Sequence, residues 1–155
     1  MKNAGNNYTT VLISWQYNNM ILDTYNTPQS LPQSLIDSVV AHADTHLDLS
    51  NLDELHIHFK GRNGANCGYF DGIGDEEDGV AIIEINSKKK VSEIVKTIFH
   101  ELVHVQQVLH KKFDDIEKTW LGESYDGVDY EDLPWEVDAF EQEEILFLSY
   151  QNKNA

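Results

Sequence analysis

The sequence predicts an α+β domain: a small mixed or antiparallel sheet of about three to five strands packed on a central helix, with another helix near the C-terminus. Three observations predict it. Most of the segments before Ser87 are strand-like runs rich in β-branched and aromatic residues, interrupted by one helical stretch. An apolar run then recurs at three- and four-residue steps through Ile94, Val95, Ile98, Phe99, Leu102, Val103 and Leu109, the period of a buried helix face. Finally, Pro134-Trp135 opens a segment reaching about Tyr150, with Ala139, Phe140, Phe147 and Leu148 available for packing. A chain of 155 residues is expected to form one domain, residues 1–155, with a core that needs no staples.

Taken in order, Tyr8 to Tyr17 reads as a strand, Asn18-Asn19 as its turn, and Met20 to Tyr25 as the return. Pro28 and Pro32 bracket a loop. Leu35, Ile36, Val39, Val40, Ala43 and Leu47 then mark an amphipathic helix. Leu55 to Phe59 is a strand whose alternation puts His56 and His58 on one face. Gly68 to Asp71 reads as a short return strand. The acidic, glycine-rich stretch Gly72 to Gly79 lies out of the EF-hand register and reads as a solvated hairpin loop. Val80 to Asn86 is the clearest strand; at a sheet edge its free backbone could hold an extended peptide by β-addition, and otherwise it is a plain core strand. Ser92 is the expected N-cap of the central helix, which meets no Gly or Pro before Lys111. Phe113 to Leu133 reads as irregular, and Gln151 to Ala155 as a frayed polar tail.

Composition narrows the function. Hydrophobic content is 41% and charged content 25%, ordinary for a globular protein. A net charge of −16 disfavours nucleic acid and anionic membranes as partners, and suits a basic protein substrate or only solubility. Cys67 is alone, which points to a reducing compartment. Met1 to Asn7 has no apolar leader pattern, and no apolar run reaches the length of a membrane span. A cytoplasmic monomer is the default expectation.

The central helix carries His100-Glu101-Leu102-Val103-His104, an H-E-x-x-H motif. Residues four apart share a helix face, so both imidazoles can reach one metal ion, and Glu101 can face a water beside it and take its proton. Two structural histidines would leave Glu101 without a reason. A second pair, His42 and His46, has the same spacing but no acid after the first His, and reads as a surface or half-buried pair.

A catalytic zinc usually takes three protein ligands. His110 has the metzincin spacing, but Gln107 stands where that motif needs a Gly, and no Met follows the motif. On an unbroken helix six residues carry a side chain about 9 Å along and about 240° around, away from the metal. Glu136 is the better candidate, in the first turn of a predicted helix that can return beside the first; Glu123, Asp126 and Glu131 are its rivals.

A resemblance adds weight to Glu136. The stretch from about Ile82 to Glu143 resembles the minimal, gluzincin-type zincin metallopeptidases of phage and bacterial genomes. The features that carry the likeness are the strand Val80 to Asn86, His100-Glu101-Leu102-Val103-His104-Val105-Gln106-Gln107, Trp120-x-Gly122-x-x-Tyr125, and Pro134-Trp135-Glu136-Val137-Asp138-Ala139. The resemblance implies a minimal zincin-like fold and Glu136 as third ligand to Zn²⁺, and for a phage-encoded chain the host cytoplasm. Larger gluzincins place a supporting acid four residues after the ligand Glu, where this chain has Phe140, so Asp138, another acid or backbone carbonyls must support the histidines.

The expected activity is zinc-dependent hydrolysis of peptide or other amide bonds. His100, His104 and Glu136 hold the metal, Glu101 is the base, and Tyr125, or second Tyr130, is the oxyanion donor. Two rivals stand beside it: a non-catalytic metal-binding module, and an acidic protein-interaction module that mimics nucleic acid.

Overall fold

The computed structural model describes residues 9–15, 18–74 and 79–154. Its main sheet has five strands: β1 (Thr9–Trp15), β2 (Asn18–Tyr25), β3 (Glu54–Lys60), β4 (Gly68–Gly74) and β5 (Val80–Asn86). Their order is β1-β2-β3-β5-β4. The three central strands are mutually parallel, while β1 and β4 run antiparallel at the two edges. Three helices join the sheet in one hydrophobic core: α1 (Gln33–Leu47), α2 (Val91–Leu109) and α3 (Pro134–Lys153). The α+β class therefore holds, with a mixed sheet.

The core face follows from strand alternation. Leu55, Ile57 and Phe59 of β3 and Ala81, Ile83 and Ile85 of β5 are buried, meeting Ile36 and Val40 of α1, Phe99 and Leu102 of α2, and Ala139 and Leu146 of α3. His56 and His58 point the other way, as alternation predicts, and the Tyr25 ring stacks on His58 at 4.3 Å. Glu84 is buried on this outer face, where Arg62 Nε donates to it at 2.7 Å and Lys60 Nζ lies 3.1 Å away. Two cations offset the cost of burying one carboxylate.

The strand Val80–Asn86 is not an edge. The crossover through α1 sets β3 parallel to β2, β5 pairs on its far side, and the return from β4 leaves β4 outermost. The near-continuous apolar run of β5 is what an interior parallel strand requires. Among the described residues the edges of this sheet are β1 and β4 instead. Gly68, which opens β4, sits tight against its neighbours. A Cβ there would lie 2.4 Å from the Glu84 carbonyl oxygen and 2.9 Å from Thr97 Cγ2, so only glycine lets the strand approach this closely.

Several boundaries differ from the sequence reading. Asn18 and Asn19 already belong to β2, opposite Trp15 and Ser14, rather than forming a turn; residues 16–17 and Tyr8 lie outside the described residues. Residues 72–74 continue β4, while residues 75–78 of the expected loop lie outside the described residues. Ser92 is inside α2; the N-cap is Lys90, whose extended backbone lets its carbonyl accept from Ile94 N–H at 2.9 Å. The stretch 113–133 is not structureless. It holds β6 (Phe113–Asp114), β7 (Thr119–Trp120) and β8 (Glu123–Ser124) in a small antiparallel sheet, then a 3-10 turn at Tyr130–Asp132. Between β7 and β8, Leu121 and Gly122 both have positive φ, the conformation of a two-residue hairpin turn. At the other end α3 runs on through Lys153, so Gln151 to Lys153 are helical rather than frayed. Among the described residues no helix is long and apolar enough to cross a membrane.

Candidate metal centre

Every residue of α2 from Thr97 to Gln107 is buried. Its apolar members face the core, and the polar ones, His100, Glu101, His104, Gln106 and Gln107, face α1, α3 and the small sheet. Buried polar groups are tolerated only when paired, so their partners matter. His100 and His104 stand one turn apart with ring centroids 4.9 Å apart and planes at 83°. Pro134 starts α3 with its fixed φ and no N–H to satisfy, which sets Glu136 in the first turn, where the helix dipole favours a carboxylate.

The three side chains converge. His100 Nε2 lies 3.2 Å from Glu136 Oε2, and His104 Nε2 lies 3.2 Å from Glu136 Oε1. One ligand atom from each residue falls within 4.8 Å of the others, and all three residues are buried. Among the described residues this is the one group of three His, Cys, Asp or Glu side chains so arranged. The fit to a metal ion has an independent sign in Glu101. That residue is 4% exposed, yet its Oε2 has no hydrogen-bond partner. A buried, partnerless carboxylate oxygen beside two imidazoles is costly unless something polar between them accepts its charge. The donor set of two imidazoles and one carboxylate suits a divalent ion with an open position.

The electrostatics of the cluster follow from burial and mutual pairing. Burial alone would lower the pKa of His100, but its contacts with Glu136 and Glu143 outweigh that and hold it up at about 10. Burial works against ionised Glu136 as well; the hydrogen bonds from His100 and His104 win and keep its carboxyl well below the usual range. Burial pushes Glu101 up to about 7, with the two histidines pulling the other way and Glu136 and Glu143 reinforcing the rise. A divalent cation bound beside these groups would favour the ionised carboxylates and the neutral imidazoles.

The far nitrogens of the histidines are held by residues the sequence reading did not assign. His104 Nδ1 donates to Gln107 Oε1 at 2.9 Å, and Gln107, fully buried, donates from Nε2 to Trp135 O and to Asp138 Oδ2, each at 2.9 Å. With its amide hydrogens spent on two acceptors, Gln107 can turn only its oxygen to His104, which fixes the proton on Nδ1 and leaves Nε2 free for the metal. Asp138 thus supports His104 through an amide rather than directly. His100 Nδ1 faces Glu143 Oε2 at 3.6 Å, so Glu143 fills the place that Phe140 leaves empty, while Phe140 packs its ring 4.7 Å from that of His100. The signal for both was spacing. Gln107 is three residues beyond His104 and shares its helix face, and Glu143 is seven beyond Glu136, on the same face of α3. Gln107→Leu is expected to weaken metal affinity by about 10–100-fold with the fold intact, measured by competition with a chromophoric chelator.

Two clefts open on the candidate ligands. The first, about 550 Å³, lies over Glu101, His104 and Glu136 and is walled by Phe70, Phe113 and Trp135. The second, about 360 Å³, lies over His100 and Glu101 between the N-terminal half of α2 and the middle of α3. Gly68, at the start of edge strand β4, and Tyr130 border both. Tyr130 is 61% exposed as a residue, but its hydroxyl turns in to bond the Glu136 carboxylate; loss of water and that carboxylate together push its pKa up. Tyr125, the first choice as donor, packs edge-on against the Trp135 ring with centroids 6.2 Å apart and lines neither cleft.

The other candidates sit elsewhere. His110 is exposed at the end of α2, with Nε2 bonded to the Asp48 carbonyl at 2.9 Å. His42 donates from Nε2 to Ser149 Oγ at 2.8 Å and so ties α1 to α3, while His46 Nδ1 donates to the His42 carbonyl of its own helix at 2.8 Å. Glu123, Asp126 and Glu131 are exposed and outside the cluster. No family model, no curated protein and no solved structure matches the chain.

Proposed function

We propose that this chain is a zinc-dependent peptidase of minimal zincin-like, gluzincin type, with His100, His104 and Glu136 as zinc ligands and Glu101 as general base. The observation that carries the reading is the partnerless Oε2 of buried Glu101, next to three converging ligand atoms. A structural metal site has no use for such a group; a hydrolase does. Zinc, when bound in such a site, polarises a carbonyl and makes water a ready nucleophile near neutral pH.

The chain's own residues then have definite tasks. Glu101 takes the proton of the attacking water and returns it to the leaving amine. Gln107 and Glu143 hold the imidazoles in the ligating orientation. The edge of β4, which pairs only with β5 among the described residues, offers backbone hydrogen bonds to an extended peptide lying across the two clefts. Tyr130, bordering both clefts, is placed to donate from its hydroxyl to the oxyanion by exchanging its bond to Glu136. Tyr130→Phe is expected to lower kcat by about 10²–10³-fold with little change in KM, while Tyr125→Phe stays near wild type. Steady-state kinetics on any cleaved peptide separates the two.

The test is direct. Zinc-loaded protein is incubated with a mixed peptide library, and new termini are identified by mass spectrometry. Cleavage that stops with a chelator and returns with zinc supports a peptidase. No cleavage by protein shown to hold zinc sinks it.

A further inference from the structure

The second cleft is lined with the chemistry of a cation site. Its lining includes residues of facing helices: Glu93 in the first turn of α2, and Glu143 and Phe140, the latter 44% exposed, on α3. Glu93 makes no ion pair among the described residues, and Glu143 has one oxygen, Oε2, near His100 Nδ1 at 3.6 Å. Lys96, the one lysine or arginine in the wall, does not neutralise them. Its Nζ is bonded to Glu144 and lies 5.4 Å from the Phe147 ring centroid. The floor of the same cleft holds Glu101, with its partnerless, buried Oε2. The first cleft differs: Phe113 and Trp135 stack at 4.5 Å, and its acid and base outside the metal site, Asp115 and Lys118, balance each other.

Resting on the peptidase reading, we propose that the second cleft is the subsite for a basic side chain, arginine or lysine, of the peptide bound next to the metal. An aromatic face beside two carboxylates is the arrangement that takes an aliphatic stem and its cationic head, with the ring contributing a cation–π contact. About 360 Å³ gives room for such a side chain. The chain's net charge of −16 raises the encounter rate of the same ligands.

The experiment uses zinc-loaded Glu101→Gln, so that binding is read without turnover. Fluorescein-labelled hexapeptides, identical except for one Arg, Leu or Glu in an alanine background, are titrated by anisotropy. The Arg peptide is expected to bind at least about tenfold more tightly than the other two, the equivalent of one partly desolvated ion pair. Adding Glu93→Lys should erase that preference, whereas Glu117→Lys, the same charge change on an exposed residue outside both clefts, should keep it. Equal affinities, absence of binding by all three peptides, or a preference lost equally in both lysine variants would each overturn the subsite. Hydrolysis by the wild type decides the other question: Arg preference without hydrolysis counts against the peptidase and not the subsite, and hydrolysis without Arg preference does the reverse.

Discussion

Glu101→Gln is expected to lower peptide hydrolysis by about 10²–10⁴-fold while zinc content stays that of the wild type. The substitution keeps the shape of a side chain that is 4% exposed and packed within α2. It removes the one atom able to take a proton from water at that place, since Glu136 is engaged by both imidazoles and Glu143 faces His100 from the other cleft. The effect belongs in kcat, because a base acts on the transition state and not on the bound peptide. Metal analysis beside steady-state kinetics makes the result readable. Full zinc with unchanged kcat would remove Glu101 from the mechanism, and loss of zinc would make it a ligand instead.

Glu136→Ala is expected to lose the metal altogether at zinc concentrations where the wild type and His110→Ala each hold about one ion per chain. Among the described residues its carboxylate is the one group paired with both imidazoles, with each oxygen 3.2 Å from one Nε2. Loss of a ligand exceeds the roughly 10–100-fold cost of losing a supporting partner such as Gln107. Thermal unfolding gives a second readout. Zinc at 1,000 times its dissociation constant stabilises the wild type by about 4 kcal/mol, and the melting temperature of Glu136→Ala should not respond. Zinc retained by Glu136→Ala would mean that another group completes the site.

The sequence made α2 legible because its two signals agree: an apolar three–four period over Ile94 to Leu109, and a motif whose imidazoles need that same period. Glu136 was legible because Pro134 announces a helix start and places the acid within one turn of it. The partners of the histidines were harder. Gln107 continues the helical pattern without interrupting it, and its role appears only once α3 brings Trp135 O and Asp138 within reach. The choice of tyrosine went the other way for a similar reason. Tyr125 and Tyr130 lie in one stretch, and the strands there are two residues long, too short to show any period that would tell which ring turns inward. Strand order was also hidden. The apolar run of Val80 to Asn86 suits an interior strand, but which strands flank it depends on the return from β4.

The separation of the proposed ligands along the chain has a mechanical side. His100 and Glu136 are 36 residues apart, and the intervening segment carries the small sheet and the 3-10 turn that presents Tyr130. An ion gripping both ends acts on that segment as a cross-link does, by removing loop-closure freedom from the unfolded chain. Zinc should therefore slow amide hydrogen exchange in the first turns of α3 and through residues 113–133 more than in β2 or β3, far from the clasp. A chelator would then loosen the Tyr130 side of the groove before it disturbs the sheet.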